Sequence, residues 1–363
     1  FTALLEDSGY MARAAFLTDR FMHHMGLHGK SFIPMLLGFG CSVPGIYATR
    51  TLESREDRIL TGLLVPFMSC GARLPVYVII GAAFFGARAG TLVFAMYILG
   101  IAVAVLIGLL FKGTLFRRKE QAAFVMELPP YRAPSLKGVL IHTWEHTWAF
   151  IRKAWTVILG VSVVIWLLLA LPVNAPDGAR FADVDAGHSA LAALSRGLAP
   201  VFAPAGYGRW EATSALVTGI IAKEVVVSTL SQVYLGGEEA AQEPTPTSFL
   251  QDLGQIGLTF LQATWDTIRG TISIIPGVNL FGADQAAEVD PQLVSALRGA
   301  FTPLSAVALC VFVLLYTPCM VTVTAMWHEY GPKWALFGAG YTLALAWVVS
   351  TLVYQGGRLL GLG

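Results

Sequence analysis

Long apolar stretches dominate this chain of 363 residues, and short charged segments separate them. About 20 consecutive apolar residues are enough for a helix to span the hydrocarbon core of a bilayer. Residues 1–25 carry more charge but keep a helical pattern, and 255–282 fit an interfacial or re-entrant element. Membrane-spanning helices are predicted at about 59–86, 91–111, 154–172, 214–235, 302–327 and 333–355.

Glycine and proline interrupt the apolar pattern at four places, and three of them carry a cysteine. In hydrocarbon an unpaired backbone group is costly, so irregular backbone at membrane depth survives only inside protein or along a wet cavity. Two interrupted helices in each half of a chain are also typical of repeat-built transporters. We therefore predict an all-α, polytopic membrane protein with broken or re-entrant helices. The four breaks lie at 38–45, 68–75, 219–224 and 318–319.

The charged loops predict the orientation of the chain. Residues 112–137 contain six Lys or Arg against two Glu, and 50–58 carries three Arg. Loops rich in Lys and Arg stay on the cytoplasmic side of a membrane. The segment 173–209 mixes both signs of charge and fits the external side. We expect a multi-pass membrane protein that has membrane lipid among its partners.

The composition supports the membrane prediction and excludes some other classes. Only 13% of the residues are charged, against about 25% in a typical soluble domain. The net charge of +1 leaves no broad basic surface for nucleic acid. The cysteines lie in apolar or broken stretches, unlike those of an exported disulfide framework. Because the first residue is Phe1 and not Met, we expect upstream sequence to be missing.

Sulfur-bearing side chains at the breaks are the first candidates for chemistry. Thiolate and thioether ligands favour transition metals over Mg²⁺ or Ca²⁺. A sparse ligand set suits an ion that must also leave. The alternative is that free cysteine packs as a small apolar residue, which we expect of Cys310. The candidate metal contacts are Cys41, Cys70 and Cys319, with Met35, Met68 and Met320 close to them in sequence.

Ionisable residues inside apolar stretches are the second group of candidates. An ionisable group within the membrane is costly and is by default a functional-site hypothesis. Glu6 is a further candidate metal contact, the alternative being a solvated helix end. Lys223 and Glu224 interrupt an apolar run and predict a gate or ion relay, or a structural charge pair. Arg73 is expected to hold the break after Cys70 by donating to freed carbonyls.

Two enzymatic signatures bear on this chain. His142, Glu145 and His146 form the H-x-x-E-H pattern of some zinc proteases. The flanking aromatic and basic residues are instead typical of a membrane-interface belt. The G-x-x-x-x-G-K-[ST] motif of nucleotide-binding P-loops is absent from the sequence. We therefore expect no catalytic residue and no resident cofactor in this chain.

Several unusual strings occur together and in order, and they resemble the FeoB family of bacterial ferrous-iron transporters. The resemblance covers most of the chain, and only 236–300 is weakly marked. The strings that carry it lie at 6–16, 29–34, 38–45, 70–77, 127–131, 222–224 and 315–319.

The resemblance implies two gate repeats of the nucleoside-transporter type and a division of the chain into five parts. The first repeat would lack its N-terminal portion. A cytoplasmic loop with an interfacial helix and a transmembrane helix with an external loop would separate it from the second repeat. A transmembrane helix would end the chain. The implied boundaries are 1–112, 113–153, 154–199, 200–330 and 331–363.

The resemblance also implies a function. FeoB proteins take up Fe²⁺ across the bacterial inner membrane, and their implicated cysteines correspond to Cys41, Cys70 and Cys319. GTP and Mg²⁺ would bind only to an N-terminal GTPase domain that we expect outside this chain. The small cytoplasmic proteins FeoA and FeoC are implied partners, and a homo-oligomer is possible. The alternatives are a gate-type transporter of another divalent metal or of an organic solute such as a nucleoside, a metal sensor, and a membrane metalloprotease.

Overall fold

Helices and short 3₁₀ turns account for the regular structure of the described part of this chain. The computed structural model describes residues 8–24, 27–115, 135–173, 186–221, 223, 225–235, 259, 262–265 and 291–361. Glu6, Glu224 and most of 255–282 lie outside the described residues.

The first half of the chain is a series of short helices followed by a long one. Ser54 caps the fourth helix by accepting a hydrogen bond from the Asp57 amide at 3.4 Å, and acidic side chains follow in the first turn. Pro75 stands at the start of the fifth helix, where its missing amide proton is not needed. The helices are α1 (Tyr10–His24), α2 (Phe32–Gly40), α3 (Ser42–Ala48), α4 (Arg55–Leu64), α5 (Leu74–Phe85) and α6 (Ala89–Thr114).

The second half continues with one very long helix and then a second series of short ones. Thr302 and Ser305 cap each other reciprocally, with Pro303 between them, and so fix one helix start. The helices are α7 (Leu136–Ala170), α8 (Ala190–Phe202), α9 (Trp210–Gly219), α10 (Val225–Leu235), α11 (Pro291–Ala300), α12 (Pro303–Leu315), α13 (Met320–Tyr330) and α14 (Pro332–Leu359).

The two halves share one order of elements. In each, a helix precedes two interrupted helix pairs, and a long unbroken helix follows them. The second half differs in having the additional helix α11 between its two pairs. The pairs α2/α3 and α4/α5 in the first half correspond in this order to α9/α10 and α12/α13 in the second. The long helices α6 and α14 correspond in the same way. The predicted breaks, two in each half, are therefore present in the structure, and the element order supports the predicted repeat.

Three described segments are long and apolar enough to cross a membrane. They are Arg55–Thr114, which contains more than one helix, Pro303–Tyr330 and Pro332–Leu359. The most apolar window of Pro303–Tyr330 is 72% buried inside the protein, against 22% for Pro332–Leu359. The interrupted pair α12/α13 therefore lies near the centre of the bundle, whereas α14 lies at its periphery.

The halves pack against each other through the interrupted pairs. Helix α12 packs on α5 and α6, and α13 packs on α3. Arg50, just after α3, forms a two-point ion pair with Glu329 near the end of α13. Beside it the hydroxyls of Thr49 and Tyr330 are 2.7 Å apart. These contacts fix the end of α3 against the end of α13.

Helix α7 is longer than the sequence pattern predicts. Residues 154–172 were expected to span the membrane as a separate element from an interfacial helix before 153. The structure instead has one continuous helix of 35 residues, Leu136–Ala170, across that boundary. A rise of about 1.5 Å per residue makes it roughly 50 Å long, more than a bilayer core of about 30 Å. Part of α7 therefore extends beyond the hydrocarbon.

Gly100 lets α6 approach the second break closely. A side-chain carbon at Gly100 would lie 2.7 Å from the carbonyl oxygen of Phe67, whereas Gly113 in the same helix has open space around it. We expect Gly100→Ala to destabilise the protein by about 1–3 kcal/mol, because overpacking forces the backbone to shift. Gly113→Ala is the matched control and should be neutral or stabilising by up to about 1 kcal/mol. Thermal unfolding in detergent measures both, and equal effects of the two changes would contradict this packing.

Candidate functional site

The first break of the first repeat lies at Cys41. The backbone of Cys41 is extended (φ −153°, ψ 134°), so it ends α2 and precedes α3. Its amide still donates to the carbonyl of Leu37 at 3.0 Å. The side chain is partly exposed. The break therefore places a partly exposed thiol on extended backbone between two helices.

The second break of the first repeat lies at Met68–Cys70. Cys70 is extended (φ −75°, ψ 159°), with 3₁₀ turns on both sides at Val65–Phe67 and Gly71–Arg73. Arg73 donates from Nη1 to the carbonyl oxygen of Met68 at 3.1 Å. This hydrogen bond is of the kind expected of Arg73, whose role in holding the break stays a prediction. Its side chain is only 1% exposed, so the guanidinium is buried beside the break.

The two breaks of the first repeat cross each other through small residues. A side-chain carbon on Gly38 would meet Cβ of Met68 at 3.0 Å. A side-chain carbon on Gly71 would lie 3.9 Å from the carbonyl oxygen of Gly40. Gly40 immediately precedes Cys41 and Gly71 immediately follows Cys70. The sequence positions next to the two thiols are therefore in near contact.

The two breaks of the second repeat are joined by a backbone hydrogen bond. The amide of Met320, directly after Cys319, donates to the carbonyl of Ile220 at 3.0 Å. Cys319 directly precedes α13, and its backbone is not helical (φ −56°, ψ 154°). Its Sγ atom lies 3.2 Å from the Thr322 hydroxyl oxygen. Break residues of both halves are thus arranged as crossing pairs.

Tyr316 links the second repeat to the first. It ends α12 and is 1% exposed, and its hydroxyl has no hydrogen-bond partner among the described groups. The hydroxyl lies within electrostatic range of Arg73, Cys319 and Cys70. Lys223 places its ammonium 4.2 Å from the centre of the Tyr316 ring. One aromatic side chain therefore carries a buried ammonium on its face and lies within electrostatic range of Arg73 and two break cysteines.

Close packing fixes this tyrosine. A side-chain carbon at Gly219 would lie 2.5 Å from the Tyr316 hydroxyl, so glycine at the end of α9 makes room for it. Lys223 also donates to the carbonyl of Val313 at 3.4 Å, and its side chain is only 2% exposed. The ammonium is therefore held between an aromatic face and a helix carbonyl, both of which favour a positive charge.

Comparison with known proteins identifies the family. The family model Gate, described as nucleoside recognition, matches residues 1–84 and 151–333. The model described as the C terminus of ferrous iron transport protein B matches residues 93–146. The chain belongs to the Gate family, and within it to the FeoB proteins. The resemblance noted from the sequence is thereby confirmed, as is the all-α membrane fold with gate-type repeats.

Three relatives show how far the similarity to FeoB extends. An Fe(2+) transport protein A/FeoB fusion protein of Porphyromonas gingivalis is 40% identical over 99% of this chain and 41% of its own length. The Fe(2+) transporters FeoB of Escherichia coli K12 and of Shigella flexneri are 38% and 39% identical over 98% of this chain and 45% of their own length. The chain therefore spans less than half the length of these relatives. No solved structure matches it significantly.

The sulfur-bearing side chains considered in this FeoB-type chain fall into three groups. Cys41, Cys70 and Cys319 are partly exposed, as is Met320. Met35 and Met68 are buried in the apolar core. Cys310 is fully buried in the middle of α12, in agreement with its predicted packing role. The metal-contact assignments themselves stay predictions.

The described residues contain no group of three His, Cys, Asp or Glu side chains that could hold a metal ion. The three break cysteines therefore do not form a closed centre in this conformation. The structure instead places Cys70 and Cys319 near one tyrosine, and Cys41 next to the Cys70 break. The H-x-x-E-H pattern lies within α7. The side chains of His142, Glu145 and His146 lie outside the described residues.

Tyr316 is the functional candidate that sequence reasoning missed. An aromatic residue at the end of an apolar run is usually interpreted as core. The signal that could have found it is the segment Leu315–Cys319, which carries the family resemblance and ends in Pro318 and a break cysteine. Its position beside Lys223 depends on a contact between residues 93 positions apart, which no local pattern predicts.

Thiol labelling distinguishes a wet path from lipid-facing sulfur. In variants that keep one cysteine each, we expect a charged methanethiosulfonate reagent to modify Cys41, Cys70 and Cys319, because these side chains are partly exposed at breaks that must be shielded from lipid. Cys310 should stay unmodified until the protein unfolds. Mass spectrometry of the labelled protein measures each reaction. Labelling of the three break cysteines by membrane-soluble maleimides alone would place them against lipid and contradict the site.

Proposed function

We propose that this chain forms the Fe²⁺ path of a transporter in the bacterial inner membrane. The observation that carries the proposal is the arrangement of cysteines at crossing helix breaks, with Cys70 and Cys319 both within electrostatic range of Tyr316. The relatives named Fe(2+) transporter FeoB support the choice of ion.

The chemistry of the breaks suits a soft divalent cation that passes and does not stay. A thiol binds a metal well only after losing its proton, so the entering ion displaces protons from the break cysteines. With few thiolates available at any one point, the ion keeps part of its hydration shell and can leave again. Cys41, Cys70 and Cys319 would be contacted in succession, with Glu6, Met35, Met68 and Met320 as further contacts.

The charged residues of the breaks would regulate passage. Arg73 fixes the geometry of the Cys70 break, while Lys223 and Glu224 would form a gate or charge network at the second repeat. We further propose that GTP hydrolysis belongs to a domain on the longer polypeptide and acts on these breaks from there. The fusion relative supports a FeoA-type partner. A FeoC-type partner and a homo-oligomer are also proposed, and only the family resemblance supports them.

A second candidate substrate is an organic solute, because the matching Gate model is described as nucleoside recognition. Such a solute needs polar pocket residues such as Asn and Gln, and the breaks at 38–45, 68–75, 219–224 and 318–319 contain neither. Competition of unlabelled nucleosides with Fe²⁺ uptake tests this alternative directly. Mn²⁺ and Zn²⁺ are the competitors that test for another divalent metal.

Cysteine variants of the complete protein in proteoliposomes test the proposed path. We expect Cys41→Ser, Cys70→Ser and Cys319→Ser each to reduce Fe²⁺ uptake by about tenfold or more, equivalent to roughly 1.4 kcal/mol, because a hydroxyl is a poor ligand for a soft cation. Cys310→Ala is the matched control and should retain uptake, because Cys310 lies in the core. The readout is metal-dependent quenching of a fluorophore inside the vesicles.

Two outcomes would contradict parts of the proposal. Unchanged uptake in the Cys41→Ser, Cys70→Ser and Cys319→Ser variants would exclude the cysteines as ligands and leave only the transport assignment. Loss of uptake in His142→Ala with unaffected cysteine variants would move the site to α7.

A further inference from the structure

The ammonium of Lys223 occupies a position that suits a cation on the proposed path. It lies 4.2 Å from the centre of the Tyr316 ring and 3.4 Å from the Val313 carbonyl oxygen. An aromatic face attracts any cation placed over it, and a desolvated face does so more strongly. With Lys223 in place, this face is already occupied by a positive charge that belongs to the protein.

The same position lies where the two repeats meet. The Tyr316 hydroxyl is within electrostatic range of Cys319 in its own repeat and of Cys70 and Arg73 in the other. On the proposed path, a cation between the two break cysteines would pass this ring. There it meets the charges of Lys223 and Arg73, both nearly fully buried. Like charges in a low-dielectric region repel strongly, and more strongly when one of them is divalent.

The Lys223 side chain can move without unfolding a helix. Lys223 lies between the end of α9 at Gly219 and the start of α10 at Val225. The lysine side chain is a flexible stem with a compact charge, which can withdraw by changing rotamers. A gate of this kind needs no large displacement of α9 or α10.

We propose that Lys223 is a tethered cation that closes the ion path, and that its ammonium must leave the face of Tyr316 before a divalent cation can pass. This inference rests on the proposed function and adds a latch, Lys223 on Tyr316, to the same site. The latch is a barrier to all divalent cations in the resting state. It opens when the Lys223 side chain changes rotamer and takes the ammonium away from the ring.

Basal leak through the full-length protein in proteoliposomes tests the latch. Vesicles contain a metal-sensitive fluorophore, and Fe²⁺, Mn²⁺ or Zn²⁺ is added outside without GTP. We expect Lys223→Met to raise the leak of all three ions about tenfold, because one like charge is removed from a low-dielectric path. Lys223→Arg keeps the charge and should stay as tight as the wild type. Lys333→Met removes an exposed lysine at the start of α14 and is the matched control.

Variants of Tyr316 test the latch independently of Lys223. Tyr316→Leu removes the aromatic face and should leak like Lys223→Met, whereas Tyr316→Phe keeps the face and should remain tight. The double variant Lys223→Met/Tyr316→Leu should leak no more than either single variant, because each change removes the same latch. Tyr316→Leu carries the same test where Lys223→Met does not yield folded protein, as judged by gel filtration and thermal unfolding.

Three results separate the possibilities. A wild type that transports Fe²⁺, combined with tight Lys223→Met and Tyr316→Leu variants, overturns the latch and leaves the proposed function standing. Loss of transport in Lys223→Met without any leak assigns the lysine a structural role and also overturns the latch. A wild type that takes up no Fe²⁺ even with GTP contradicts the proposed function itself.

Discussion

The requirement that backbone polar groups be paired inside a membrane governs this structure. A helix pairs these groups within itself, whereas a broken helix leaves some of them without partners. The described breaks solve this problem by contact with other elements. Arg73 donates to the Met68 carbonyl, Met320 donates through its amide to the Ile220 carbonyl, and Tyr341 of α14 donates to the Leu63 carbonyl. The breaks can therefore exist only in a bundle that brings these partners to them.

Burial of charge is the second consequence of building a path from helix breaks. The described residues form the ion pairs Asp19–His23, Lys30–Glu53 and Arg50–Glu329, and Arg73 is in none of these. A buried guanidinium without a described carboxylate is expensive unless other groups offset its charge. Among the described groups, the carbonyl oxygen of Met68 accepts a hydrogen bond from the guanidinium. The protein therefore keeps positive charges beside a proposed path for cations, which is where a barrier is useful.

Much of the fold could be predicted from the sequence, because its strongest signals are local. Gly, Pro and Cys at 38–45 and 68–75 marked breaks that the structure has, and Pro318 marked another. The length of α7 could not be predicted in the same way. Its first part combines aromatic and basic residues that are typical of a membrane interface, so the pattern indicated a boundary where the helix continues.

The candidate site was less predictable than the fold, because it depends on distant contacts. The cysteines and Arg73 stand at breaks that local composition reveals. The contact of Lys223 with Tyr316 joins α12 to the segment after α9, and the approach of Gly71 to Gly40 joins two other elements. Contacts of this kind follow from packing in three dimensions. A sequence indicates which side chains are unusual for their position, but not which of them meet.

The two repeats stabilise their breaks by different means, and this difference assigns different roles to the two buried cations. In the first repeat a side chain, Arg73, pairs the carbonyl freed at the break, so its removal would disturb the break itself. In the second repeat the backbone bond from Met320 to Ile220 joins the breaks without the help of Lys223. In the proposed latch, the ammonium of Lys223 leaves its aromatic partner while this backbone bond keeps the breaks joined. The proposal thus makes Arg73 the fixed charge of the site and Lys223 the movable one, as a gate requires.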